Sequence, residues 1–201
     1  AAGATVRGVD VSYYQGNIDW KAAHADGIDF AVARVSDGTG FKDPKFTKNW
    51  NGMRDAGVIR GAYQFFRPKQ DPIAQADLAI AMINDAGGTG DGDLPLMLDL
   101  EVNDGVSAKT LLARAKAWLD HVEQATGRTP MIYTGAYFWQ QFGGPDGYEK
   151  YPLVTANWQT KCPAVPDSWS NWTFWQDADN GHVAGIPALV DTDVFNGSLD
   201  D

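Results

Sequence analysis

The chain is short of several things that would each point to a particular class of protein. It has one cysteine in 201 residues, Cys162. A disulfide framework within the chain is therefore excluded, and cysteine usage says nothing about compartment. Cys162 sits in KCPAVP with no histidine beside it, and a reactive thiol needs a base or a depressed pKa. The three histidines, His24, His121 and His182, are scattered, with no HExxH and no metal-ligand spacing. Basic residues are scarce: 16 Lys and Arg stand against 26 Asp and Glu, for a net charge of −10. Without a basic cluster, nucleic acid is not the expected partner. No apolar run approaches the roughly 20 residues of a membrane helix, so no membrane partner is expected either. The start, AAGATVRG, is small and polar, without the apolar centre of a signal peptide, and fits what remains after one is cleaved. GTGDGD near Gly88 lacks the GK[ST] ending of a phosphate loop and precedes a strand.

Aromatic and acidic residues are plentiful. Hydrophobic residues make up 44% of the chain and charged ones 21%, which places it among folded globular proteins. The stretch LPLMLDLE, Leu94 to Glu101, alternates so that Leu96, Leu98 and Leu100 share one strand face and Met97, Asp99 and Glu101 the other. Two carboxyls beside a core need pairing, solvation or use. Surface acids at a strand-to-loop junction are the alternative reading.

Around that stretch, strands and helices alternate. Strands are expected at Val6–Ser12, Ile28–Ser36, Val58–Phe66, Leu94–Glu101 and Pro130–Gly135. Asp19 is placed to cap a helix from Trp20 that stops at Gly27. Asp43-Pro44 and Asp71-Pro72 place capping acids before helices that end at Gly57 and Gly87, and Ser107 opens a long helix closed by Gly127. A short helix and irregular loop follow over WQQFGGPDGYEKY. Then LVTANW, WTFWQDA and LVDTDVF read as strands without convincing helices between them. No linker or repeat divides the chain. The expectation is an α/β fold in one domain, residues 1–201: a modified TIM-like β/α barrel of eight strands whose C-terminal third has lost its helices. An open parallel sheet is the other arrangement.

Barrel active sites form at the C-terminal strand ends, where Asp10, Tyr63, Asp99, Glu101, Tyr133, Trp158 and Gln176 fall. Asp191 opens its strand and reaches the same rim only if that strand is antiparallel or begins high. Acids, aromatic rings and an amide around one opening suit a carbohydrate. Glycoside cleavage needs a proton donor and a second negative group. Asp99 and Glu101 are two residues apart, about 6.6–7 Å between Cα atoms. Glu101 is the expected general acid, held protonated by partial burial and the charges of Asp99 and Asp10. Asp10, Asp99, Glu101 and Asp191 could also hold a hard cation; a metal-free, cofactor-free site is the expectation.

Taken together, GVDVSYYQGNIDW from Gly8, FAVARVSDG from Phe30, GAYQFF from Gly61, LMLDLE from Leu96, PMIYTG from Pro130, ANW at Ala156, FWQ at Phe174 and VDTDVFNG from Val190 resemble family 25 of the glycoside hydrolases, lysozymes of the N-acetylmuramidase type. The resemblance runs through nearly the whole chain in order. It implies hydrolysis of the β-1,4 bond between N-acetylmuramic acid and N-acetylglucosamine in peptidoglycan. Glu101 would be the general acid/base, Asp99 its partner, Asp10 and Asp191 further carboxylates, and Tyr63, Tyr133, Trp158 and Gln176 cleft residues. It also implies a secreted enzyme, with a monomer as the default. The pattern accommodates both direct attack by an Asp and attack by the substrate's own acetamido group. Two positions depart from the family. Asp37 stands where Glu is usual before the glycine of the second strand, keeping a place among the substrate-binding candidates, and Gln64 stands where His is frequent after Tyr63. Both keep polarity and change reach, which bears on subsite contacts. A non-catalytic wall- or chitin-binding module and a chitinase-like retaining glycosidase are the alternatives.

Overall fold

A computed structural model describes residues 3–201; Ala1 and Ala2, the first residues of the small polar start, lie outside it. The strands are β1 (Val6–Val11), β2 (Phe30–Asp37), β3 (Phe41–Lys42), β4 (Ile59–Phe65), β5 (Met97–Asp99), β6 (Met131–Gly135), β7 (Leu153–Ala156), β8 (Phe174–Gly181) and β9 (Val190–Phe195). Eight of them close a barrel in the order β1-β9-β8-β7-β6-β5-β4-β2, sealed by the pairing of β1 with β2, while β3 folds back on β2 as a short hairpin. Within the barrel the ladders are parallel except at β9, which runs antiparallel to both β1 and β8. The barrel expectation therefore holds, and the open sheet does not.

The helices are α1 (Trp20–Ala25), α2 (Phe46–Ala56), α3 (Pro72–Asp85), α4 (Ala108–Thr126) and α5 (Ala136–Gln140). Their caps follow the sequence at three of four places. Asp19 accepts from the N–H groups of Lys21 and Ala22, Asp71 from Ala74 and Ser107 from Thr110. Gly127 takes the left-handed conformation that ends α4. After α5, no α-helix forms among the described residues, as expected for the C-terminal third.

Asp43 is the correction. The helix it was expected to cap begins at Phe46, with Lys45 as an N-cap that makes no side-chain bond. Asp43 is buried and accepts instead from the Tyr13 and Lys45 N–H groups and from Nε of Arg34. Its oxygens are engaged by a guanidinium and by N–H groups outside the helix, charge-assisted bonds that leave it no part in the cap.

A second correction concerns β5, which covers only Met97–Asp99 of the expected Leu94–Glu101. Pro95 has no N–H for the ladder, and Glu101 has left it. The faces are nonetheless as the alternation requires. Leu96, Leu98 and Leu100 pack into the main core between barrel and helices, and Met97 points into the barrel.

The barrel interior is filled by Val6, Phe30, Val32, Met97, Met131, Val154 and Phe174. Gly8 makes room for Phe30: a Cβ there would meet its ring at 2.4 Å. At the N-terminal end, Arg60 and Asp93 form a buried two-bond pair at 2.9 and 2.5 Å. The Gly/Asp loop before β5 thus serves the fold. The cleft that gathers the acids lies at the other end.

Candidate active site

The cleft opens at the C-terminal end of the parallel strands and encloses about 230 Å³. Of the residues expected there, Asp10, Tyr63, Asp99, Glu101, Tyr133, Gln176 and Asp191 line it. The antiparallel run of β9 puts its first residues at this rim and sets Asp191 directly across from Asp10 in the ladder.

Gln176 joins three of these groups and Trp158. It is 3% exposed. Its Nε2 donates to Asp10 Oδ2 at 2.6 Å and to Asp191 Oδ2 at 3.3 Å. Its Oε1 accepts from the Tyr133 hydroxyl and from Trp158 Nε1, both at 3.0 Å. With two donors and two acceptors satisfied, the amide can sit only one way round. Trp158 is 45% exposed and stands beside the cleft, tied to it through Gln176.

The carboxyls disfavour one another's ionisation. Burial first, then the charge of Asp191, pushes Asp10 well above the usual carboxylate range, against the bond from Gln176. Asp99 is pushed well above it by burial, then by Glu101 and Asp10, with Arg34 pulling the other way; its buried Oδ1 has no hydrogen-bond partner. Asp191 is raised chiefly by burial.

Glu101 faces solvent at the cleft mouth, yet the protein around it still withdraws enough water to raise its pKa. Asp191 adds to this and Arg67 opposes it. Asp191 across the rim joins the two acids the sequence pointed to, Asp99 and Asp10, each of which is itself raised by the charge of Glu101.

Asp37 and Gln64 are placed by a bulge in β2. Arg34 pairs with Tyr63 and Ser36 with Gln64, so Val35 is the extra residue. Asp37 holds Arg67 through two bonds of 2.5 and 2.8 Å, and Arg67 also reaches Asp104 at 3.2 Å. Asp37 is outside the cleft lining and bears on the site through Arg67. Gln64 faces the helices, fully buried, donating to Ser36 and the Gln75 carbonyl and accepting from Trp118 Nε1. A subsite role for Gln64 is therefore corrected: the pleat that sends Tyr63 inward sends the next residue outward.

Three participants were not anticipated. Arg34 lines the cleft, and Arg67 opposes the other charges on Glu101. Asp193 lies beneath Asp10 among Phe30, Met97 and Phe174, with Oδ2 unbonded. Burial, then Asp10, Asp191 and Asp177, hold it well above the usual range. Its signal was available, because Asp193 shares a strand face with Asp191. Cys162 is exposed and away from the cleft lining.

Clustered carboxyls with raised pKa values, flanked by Tyr and Trp at the C-terminal mouth of a β/α barrel, define a glycoside hydrolase. Comparison with known proteins gives the family. The model for glycosyl hydrolases family 25 matches residues 9–186, and the chain belongs to that family. An N,O-diacetylmuramidase of Arthroderma benhamiae is 37% identical over 98% of this chain and 84% of its own. A bacterial lysozyme from Streptomyces coelicolor superposes with a TM-score of 0.89 at 34% identity, covering 98% of this chain and 94% of its own. A family GH25 lysozyme from Aspergillus fumigatus gives 0.87 at 33%, covering 98% and 96%.

Proposed function

We propose that the protein is a muramidase that hydrolyses the β-1,4 bond between N-acetylmuramic acid and N-acetylglucosamine in peptidoglycan, acting outside the cell as a monomer. The observation that carries this reading is the ring of carboxyls bound through Gln176 at the mouth of a family 25 barrel. Relatives that are lysozymes and diacetylmuramidases support the substrate.

Glu101 is the proton donor. It stands at the open mouth with a raised pKa, in reach of a leaving oxygen and of replacement water. Asp99 is buried and has one oxygen unbonded. That oxygen is suited to hold the acetamido N–H of the substrate while the acetamido oxygen attacks the anomeric carbon, a route known among glycosidases. Asp10 and Asp191, fixed by Gln176, supply negative charge toward the oxocarbenium-like centre.

The test is digestion of purified peptidoglycan, reduction of the new ends with borohydride and identification of the reduced sugar. Muramitol supports the reading. Glucosaminitol shows cleavage of the other glycosidic bond and refutes it, and the absence of new ends with intact binding marks a binding module. Glu101→Gln should lower turnover by roughly 10²–10⁴-fold with the melting temperature retained.

A further inference from the structure

Arg34 is the one cationic side chain in the cleft lining. It is anchored from behind, with Nε donating to Asp43 Oδ2 at 3.2 Å. Asp43 is in turn held by the N–H groups of Tyr13 and Lys45, at 2.9 Å each. The two terminal nitrogens make no hydrogen bond to any described residue, and neither is a fully buried orphan, so they are reachable from the cleft. Three rings frame the guanidinium, with centroids at 5.3 Å (Tyr13), 5.6 Å (Tyr14) and 5.4 Å (Phe41). Tyr14 is 67% exposed and Phe41 38%.

A guanidinium held by Nε, with both amino groups free and coplanar, matches the two oxygens of a carboxylate. The rings limit access of water to its faces and sharpen the charge. Elsewhere the cleft is walled by acids, which repel a substrate carboxylate. A neutral hydroxyl gains about half as much from the same donors, so the arrangement favours an anion.

We propose that Arg34, framed by Tyr13, Tyr14 and Phe41, is a subsite for a carboxylate carried by the glycan substrate. The inference rests on the muramidase reading, which supplies two sources of that chemistry. One is the lactyl carboxylate of muramic acid in peptide-free strands, and the other is a carboxylate of the attached peptide.

The experiment compares soluble glycan strands, peptide-free and peptide-bearing, each before and after amidation of the carboxylates, by kcat/KM. Wild type should lose roughly tenfold or more on amidation, mainly in KM, since a charge-assisted pair is lost. Loss in the peptide-free arm assigns the lactyl group, and loss confined to the peptide-bearing arm assigns the peptide. Arg34→Gln should cleave free and amidated strands alike, with its loss on the free strands lying mainly in KM, and Arg34→Lys should keep part of the preference. Wild-type indifference to amidation in both arms overturns the proposal without any variant having to fold. So does an Arg34→Gln enzyme that still discriminates, or one that loses equally on all strands with a shifted pH profile, which would mean that Arg34 acts through Asp99. Failure of wild type to cleave any arm would instead overturn the muramidase reading, and the subsite with it.

Discussion

Replacing Gln176 by glutamate changes one side-chain nitrogen to oxygen at the point where the rim is tied together. The amide's donor bonds run to Asp10 at 2.6 Å and Asp191 at 3.3 Å. Hydrogen bonds to charged groups contribute about 1.5–3 kcal/mol each; the shorter belongs near the top of that range and the longer adds little, so the pair is worth about 3 kcal/mol. Ionised, the new glutamate offers no donor and places a third negative charge against two others. Protonated, it still donates once. Its folded pKa is thus raised above the unfolded value of about 4.3. For a raised carboxyl, stability is fully present below the unfolded pKa and is lost as pH rises through the folded one. Thermal melts at pH 4 should place Gln176→Glu within a few degrees of wild type. At pH 8 the deficit of about 3 kcal/mol corresponds to roughly 6–12 °C for a chain of this length. Gln176→Met, which removes the donors without adding charge, should melt below wild type with a much smaller difference between the two pH values. An equal deficit for Gln176→Glu at both, or a methionine variant as stable as wild type at pH 8, would refute the tie.

Asp99→Asn should lower kcat by at least about 10²-fold and leave the melting temperature equal or higher, because Asp99 is a buried, unpartnered acid; a large loss of stability would show that it is structural. Asp193 also has a raised folded pKa, so its contribution falls as pH rises. Asp193→Asn should melt above wild type at pH 8 and converge with it near pH 4, and no gain at pH 8 would contradict the sign. Arg67→Met removes the charge that lowers the pKa of Glu101 and releases Asp37 and Asp104 beside it. The alkaline limb of the kcat/KM profile should therefore move up; an unmoved limb would detach that limb from Glu101.

Local periodicity made much of this site readable. Alternation alone placed Asp99 away from Leu98 and Leu100. Asp191, at the start of its strand, could reach the rim only if that strand ran antiparallel or began high, and it runs antiparallel. Caps were readable wherever the partner lay within one helical turn, as at Asp71 and Ser107. Asp43 carries the same local signal as Asp71, but its partners are Arg34 and Tyr13, brought to it by the closing of the sheet. Nothing within a helical turn of Asp43 shows that competition. Arg67 was hidden for the same reason, lying 30 residues from Asp37. The bulge at Val35 shifts the parity of β2, so strict alternation misplaces Ser36 relative to Arg34.

The seam where β9 meets β1 sets Asp10 against Asp191, and Gln176 bonds Asp10 across 166 positions of chain. Closing the barrel and assembling the acidic ring are therefore one event. A polypeptide still emerging from the ribosome, with β1 made and β9 not yet released, has no cleft. Catalytic competence is thereby acquired only when the barrel closes, and a cell making a wall-cutting enzyme of this design is shielded from it until synthesis has run almost to the end of the barrel.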